Sequence, residues 1–537
     1  MLSLEKRLQY IAASDNHADI GNIQRGIEKE SLRVTPSGKL ALTPHPQALG
    51  SALTHPYITT DYSEALLEFI TPPHNNVDTL LKHLTDSHHF TYQQLGEDAL
   101  WCASMPCILS RDEDIPIARY GSSNSGRMKS VYRAGLASRY GKPMQTIAGI
   151  HYNFSVSDQF WACLRRQQQD TLSLTDFKTQ GYFGLIRNFR RYFWLLLYLF
   201  GAAPAVCRTF INQHEHGLVP VGEDKLSLHS PLGTSLRMGD LGYQSAAQES
   251  LVINYNCLET YIQTLCQAIT HIHPTYEKIG LRDAQGKYLQ LNTGLLQIEN
   301  EFYSVIRPKR TTSSGETALS ALSNGGVEYI EVRCLDVNPY EAIGINRSQV
   351  HFLDVFLLYC LLADSPPSDE REHHQIQDNQ KHMVYRGRDI DLQLFDRGSK
   401  RNARQWGCQL MKAMTPIAQL LNTANNTDCY TESLAQEQCK LIDAALTPAA
   451  QILRDMHQKQ VTFYHLAMEL SQQHHRHFNR QSLNPGTLAN YQQLANESIA
   501  KQHALEAADQ LEFEAYLNRY YGQYGYCADA RRKILVR

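Results

Sequence analysis

Residues Gly26 to Val34 read GIEKESLRV. In a β-strand alternate side chains share a face, so Glu28 and Glu30, two residues apart, project together. Two like charges side by side destabilise a strand unless something cationic lies between them. Taken alone, the run fits a solvated edge strand. Further runs rich in β-branched and aromatic residues shift that balance: with Ile27 to Val34 they are Leu66 to Thr71, Ile150 to Val156, Tyr288 to Asn292 and Val327 to Leu335. Their spacing is uneven, without a regular strand–helix–strand rhythm, which favours a mainly antiparallel sheet. An α+β core with surrounding helices follows for residues 1–365.

The chain has 537 residues with 51 Lys+Arg against 54 Asp+Glu, a net charge of −3, which argues against a binder of nucleic-acid backbones. With 42% hydrophobic and 20% charged residues it is an ordinary globular composition, which excludes disorder as the dominant state. Met1 to Ser14 mixes Glu5, Lys6 and Arg7 into its apolar pattern, unlike a signal peptide. The most apolar stretch, Tyr192 to Cys207, contains Pro204 and is shorter than the roughly 18 residues of a membrane span, so a buried helix is expected. Twelve scattered cysteines without CxxC pairs point to a reducing compartment, by default the cytoplasm. Cys102 and Cys107 are expected as free buried thiols. Asp364 to Gln380, polar and proline-bearing, reads as a loop or linker. Residues 366–537 are expected to be mostly helical and packed on the core.

The strand runs also carry the chemistry. Glu68 sits between Leu67 and Phe69 in an apolar run, and a charge there needs a partner or a metal. In IHYNFSV, His151, Asn153 and Ser155 share one face while Tyr152, Phe154 and Val156 share the other. In VEYIEVRCL, Tyr329, Glu331 and Arg333 share a face, an arrangement that an internal salt bridge would explain equally well. Four distant segments thus offer carboxylates or an imidazole from strand faces that one sheet surface would unite. Oxygen-rich donors with little sulfur select hard cations, Mg²⁺ or Mn²⁺, and magnesium implies phosphate. The run GLRDAQGK (Gly280 to Lys287) has one residue too many between its glycines for a phosphate loop, and Tyr288 follows where Ser or Thr is required, so it reads as a hairpin turn. Two basic segments, Tyr120 to Arg133 with Lys129, and Ile306 to Thr311, are open to a phosphate or carboxylate anion or to a plain solvated turn. The groups His373-His374 and His474-His475-His477 lack metal-ligand spacing.

The runs IQRGIEKESLRV, ALGSALTHPYITTDYSEALLEFITPP, SMPC, YGSSNSGRMKSVYRAGL, MQTIAGIHYNFS, TSLRMGDLGY, LQIENEFYSVIRPKR and GGVEYIEVRCLDVNP, in this order, resemble the glutamate–cysteine ligases of the bacterial class. The likeness covers about residues 20–365 and is expected to be weak beyond. It implies a funnel-like, glutamine synthetase-like sheet that joins L-glutamate to L-cysteine with ATP. The family's magnesium ligands match Glu28, Glu30, Asp61, Glu68, His151 and Glu331. Its cysteine pocket matches Tyr132, Leu136, Ile147, Arg237, Tyr243 and Tyr303. Arg333, with Glu331, matches the catalytic pair, Arg333 facing the transferred phosphoryl group. The implied partners are small molecules only, with no nucleic acid or membrane, and the implied state is a monomer. A hard-metal phosphoester hydrolase is the alternative from another class.

Overall fold

A computed structural model describes residues 3–13, 17–109, 111–211, 217–221, 225–242, 248 and 251–525. Numbered along the chain, its strands are β1 (Ile23–Val34), β2 (Ile58–Thr60), β3 (Leu66–Ile70), β4 (Ala99–Leu100), β5 (Ile150–Val156), β6 (Ala205–Cys207), β7 (Val219–Val221), β8 (Ser227–His229), β9 (Ile306–Lys309), β10 (Tyr329–Leu335), β11 (Gln393–Asp396) and β12 (Ser399–Asn402). The main sheet runs β2-β3-β1-β5-β10-β9, with β4 paired to the end of β1, and each of these pairings is antiparallel. Strands β6 to β8 form a small separate sheet, and β11 and β12 a hairpin.

The strand that taken alone would fit a solvated edge is central: β1 is flanked by β3 and β5 and buried along most of its length. Its alternation sorts charge by face, with Glu28 and Glu30 in front and Arg25, Lys29 and Arg33 behind among Ile23 and Ile27. Buried cations need partners, and each has one. Arg25 pairs with Asp354 at 2.8 Å, Lys29 Nζ lies 2.6 Å from Ser31 Oγ and 2.9 Å from His88 Nε2, and Arg33 lies 3.6 Å from Asp98. Asp354 belongs to the helix Arg347–Leu362, whose N-cap Asn346 side chain accepts from Gln349 N (2.9 Å). That helix is apolar nearly all round because it is enclosed between the sheet and other helices.

Three local expectations change. Asp364 to Gln380 is not a linker throughout: Asp369 caps a helix, Glu370–Arg386, which Arg191 ties to the body through Glu372 (2.7 Å). The apolar stretch from Tyr192 splits into the buried helix Trp194–Phe200 and β6, because Pro204 cannot continue a helix. Tyr288 to Asn292 forms no strand, only one bridge from Tyr288 to Arg282 across the Gly280–Lys287 hairpin turn, since the side chain of Gln297 takes the Leu291 N–H (3.0 Å). Cys102 and Cys107 are buried free thiols. No described helix is long and apolar enough to cross a membrane. One continuous apolar core includes Leu8, the sheet's rear face and C-terminal residues as far as Tyr524.

Candidate active site

The registers of the main sheet bring the acidic residues together. Glu30 lies opposite Glu68 on β3, Glu28 opposite His151 on β5, and Glu331 on β10 opposite Asn153 on one side and Arg307 on the other. Directly paired residues share a face, so all of them project to the front. His151 is the hub: its Nδ1 is 3.1 Å from Glu28 and 3.9 Å from Glu331, and its Nε2 is 3.9 Å from Glu30. Two sets of potential metal donors result, Glu28–His151–Glu331 and Glu30–Glu68–His151, with the ligand atoms of each set within 4.8 Å of one another. Asp61, in the turn after β2, belongs to neither set, but it lines the adjoining cavity with Glu30 and His151.

Electrostatics divides the four glutamates. Burial pushes Glu30 up to about 8, with the charge of Asp61 adding to the rise, and burial with Glu28 and Asp61 drives Glu68 well above the carboxylate range. Burial also works against ionisation of Glu331, yet Lys309 (3.5 Å), Arg333 (3.1 Å) and Arg307 (4.0 Å) outweigh it and hold it well below that range. For Glu28 burial is again outweighed, by the His151 hydrogen bond together with Lys309. Burial and then Arg333 lower His151, favouring the neutral imidazole that ligates metals. Side-chain cations therefore satisfy one end of the cluster and leave Glu30 and Glu68 crowded. An oxygen-rich donor set with excess carboxylate fits a hard divalent cation.

Beside the cluster opens a cavity. The helix Asn124–Tyr140, capped by Ser123 Oγ on Gly126 N (3.2 Å), contributes Tyr132 and Leu136, one turn apart on the same face. The turn Pro143–Thr146 leads into Ile147, the turn Leu236–Met238 supplies Arg237, and the turn Glu299–Glu301 precedes Tyr303. Arg237 donates to the Arg333 carbonyl (2.9 Å) and lies 3.7 Å from Asp336. Arg333, also in the lining, places Nη1 3.4 Å from His151 Nδ1. The cavity thus unites Tyr132, Leu136, Ile147, Arg237, Tyr303, Arg333, Glu30, Asp61 and His151. Glu28, Glu68 and Glu331 adjoin it through the cluster, and Tyr243 lies outside the described residues.

Sequence reading assigned no role to several participants. Asn153 donates to Glu28 (2.9 Å), and Gly149 N–H donates to Glu30 Oε2 (2.6 Å). A Cβ on Gly149 would stand 2.0 Å from Arg237 Nη2, so glycine is what lets the guanidinium lie against this backbone. Glu301 is a buried acid of the lining, held by Arg139 (3.0 Å) and Tyr140 (2.7 Å). The parity of Asn153 with His151 was a usable signal. Nothing local marks the site role of the others, since Gly149 meets Glu30 across 119 residues and Glu301 meets Arg139 across 162.

A sequence model of the glutamate–cysteine ligase family matches residues 8–383. A glutamate–cysteine ligase of Saccharophagus degradans is 52% identical over 518 residues, spanning 96% of this chain and 97% of that protein. One from Alcanivorax borkumensis is 49% identical over 97% of this chain and all of its own length. The crystal structure of a Francisella tularensis glutamate–cysteine ligase in complex with AMP superposes with a TM-score of 0.88 at 37% identity, covering 94% of this chain and 99% of that one. The likeness therefore does not fade at residue 365 but continues through the C-terminal helices. Matched by the family model over most of its length, and by relatives over nearly all of it, this chain belongs to the glutamate–cysteine ligase family.

Proposed function

We propose that the chain couples cleavage of ATP to ADP and phosphate with formation of the amide between the L-glutamate γ-carboxylate and the L-cysteine amine. The route is a γ-glutamyl phosphate, and the product is the first intermediate of glutathione synthesis. The observation that carries this reading is the single sheet face on which Glu28, Glu30, Glu68, His151 and Glu331 meet beside a cavity holding Arg237 and Arg333. A carboxylate resists amine attack because of its charge and resonance, so its oxygen must first accept a phosphoryl group. Mg²⁺, with Mn²⁺ as substitute, would be held by Glu28, Glu30, Asp61, Glu68, His151 and Glu331 and would neutralise the triphosphate oxygens.

The remaining work is positioning and electrostatics. Arg333, anchored by Glu331, faces the transferred phosphoryl oxygens. Arg237, anchored by the Arg333 carbonyl and Asp336, is the carboxylate-binding group of the amine pocket. Tyr132, Leu136, Ile147 and Tyr303, joined by Tyr243, enclose the thiol side chain and select by volume, which is worth about 1–3 kcal/mol per methylene. Residues 1–365 form the catalytic core in this reading, and 366–537 a helical region packed on it. The protein acts as a monomer in the cytoplasm on small molecules, with no nucleic-acid or membrane partner. Its net charge of −3 accords with the absence of a nucleic-acid partner.

Single-omission assays test the reading. ADP release is expected to require glutamate and cysteine, to stop on chelation of divalent cations and to return with Mg²⁺. Full-rate phosphate release without either amino acid would instead identify a phosphoester hydrolase. Gly149→Ala probes the amine pocket, because the added Cβ drives the Arg237 guanidinium from a position held at both ends. The KM for cysteine is expected to rise by about tenfold or more, with the KM for ATP little changed. Equal shifts in both would place Arg237 elsewhere in the chemistry.

A further inference from the structure

A second cavity adjoins the first and shares Tyr303 with it as a wall. Its lining includes Arg190, at the end of the helix Leu174–Tyr192, and His373, in the helix Glu370–Arg386. Both side chains belong to buried residues, each 8% exposed. The guanidinium of Arg190 donates to His373 Nδ1 (2.8 Å) and lies over the Tyr255 ring (4.6 Å), but among the described residues no carboxylate pairs with it. Glu372, next to His373, is taken by Arg191 through two hydrogen bonds (2.7 and 2.8 Å).

That leaves a buried cation without a directly paired counter-ion, which is costly unless an anion arrives. His373 adds a second observation. Burial, with Arg190 next, lowers it to about 4, so the ring is neutral. With Nδ1 accepting from Arg190, the ring proton must sit on Nε2. His373 Nε2 is buried and has no hydrogen-bond partner. A guanidinium hydrogen-bonded to an imidazole, with no directly paired carboxylate among the described residues, thus lies beside an apolar wall of Tyr255, Phe302 and Ile376.

We propose that this second cavity binds a small organic monocarboxylate, its oxygens taken by Arg190, which His373 holds in place, its carbon chain lying along Phe302 and Ile376. Neither Arg190 nor His373 is assigned to ligation, so the site stands or falls independently of that reading.

Hexanoate is a suitable probe, having a carboxylate head, a short apolar body and no amine to react. Calorimetric titration of the full chain is expected to give saturable binding with a Kd of about 1 mM or tighter. Arg190→Met is expected to weaken it by about tenfold or more, and His373→Phe by roughly threefold. Arg237→Met, in the reaction cavity, should leave it unchanged. Where Arg190→Met does not fold, His373→Phe decides. Crystals soaked with 6-bromohexanoate should show the bromine in the cavity lined by Arg190. Absence of saturable binding, affinity unchanged in the Arg190 and His373 variants, or bromine found only in the reaction cavity would overturn the proposal.

Discussion

Glu68→Gln is expected to lower the ligation rate by about a hundredfold or more while leaving the metal-free melting temperature unchanged or higher. Glu68 lies opposite Glu30 across the β1–β3 register, in a donor set completed by His151. Burial and the neighbouring carboxylates already push its carboxyl well above the usual range, so an amide of the same shape removes repulsion rather than an attraction. What the amide cannot do is supply an anionic ligand to a cation. Glu331→Gln provides the contrast: Lys309, Arg333 and Arg307 all depend on its charge. That variant is expected to lose activity and about 3 kcal/mol of stability together, because it removes the counter-charge from buried Arg307 and half-buried Lys309 and Arg333. Metal titration by calorimetry alongside thermal melting separates the two. A Glu68→Gln protein that melts far below the parent would make that residue structural.

Asp354→Asn is expected to cost about 3–5 kcal/mol, read as a lower urea midpoint, and to reduce activity through the site it supports from behind. Asp354 is fully buried against Arg25, itself 1% exposed, and also accepts from Tyr152 Oη (2.8 Å). Arg25 is on β1 and Tyr152 on β5, the strands whose front faces carry Glu28, Glu30 and His151. The same pair that anchors the rear face thereby sets the spacing of the front one. Tyr152→Phe, which removes one hydrogen bond and leaves the ion pair, should cost only about 1 kcal/mol.

Much of this site is legible along the chain. Period-two alternation by itself places Glu28 with Glu30, His151 with Asn153, and Glu331 with Arg333. The same alternation also holds Arg25, Lys29 and Arg33 on the opposite face, yet it reads equally well as a solvated edge. Whether such a strand is central or peripheral depends on Asp354, His88 and Asp98, supplied by segments far away along the chain. Asp364 to Gln380 misleads because proline and charge mark both loops and exposed helix faces, and the deciding contact, Arg191 with Glu372, is long-range.

The amino-acid order by itself determined which side chains share a strand face and that their oxygen-rich chemistry suits a hard cation, since both follow from local geometry and residue type. The tertiary structure alone decided that Glu30 meets Glu68, that Glu331 is ringed by cations, that Gly149 yields its space to Arg237 and that Arg190 is left facing a cavity. Cross-strand register and helix placement are set by burial summed over the whole core, and no local pattern encodes them.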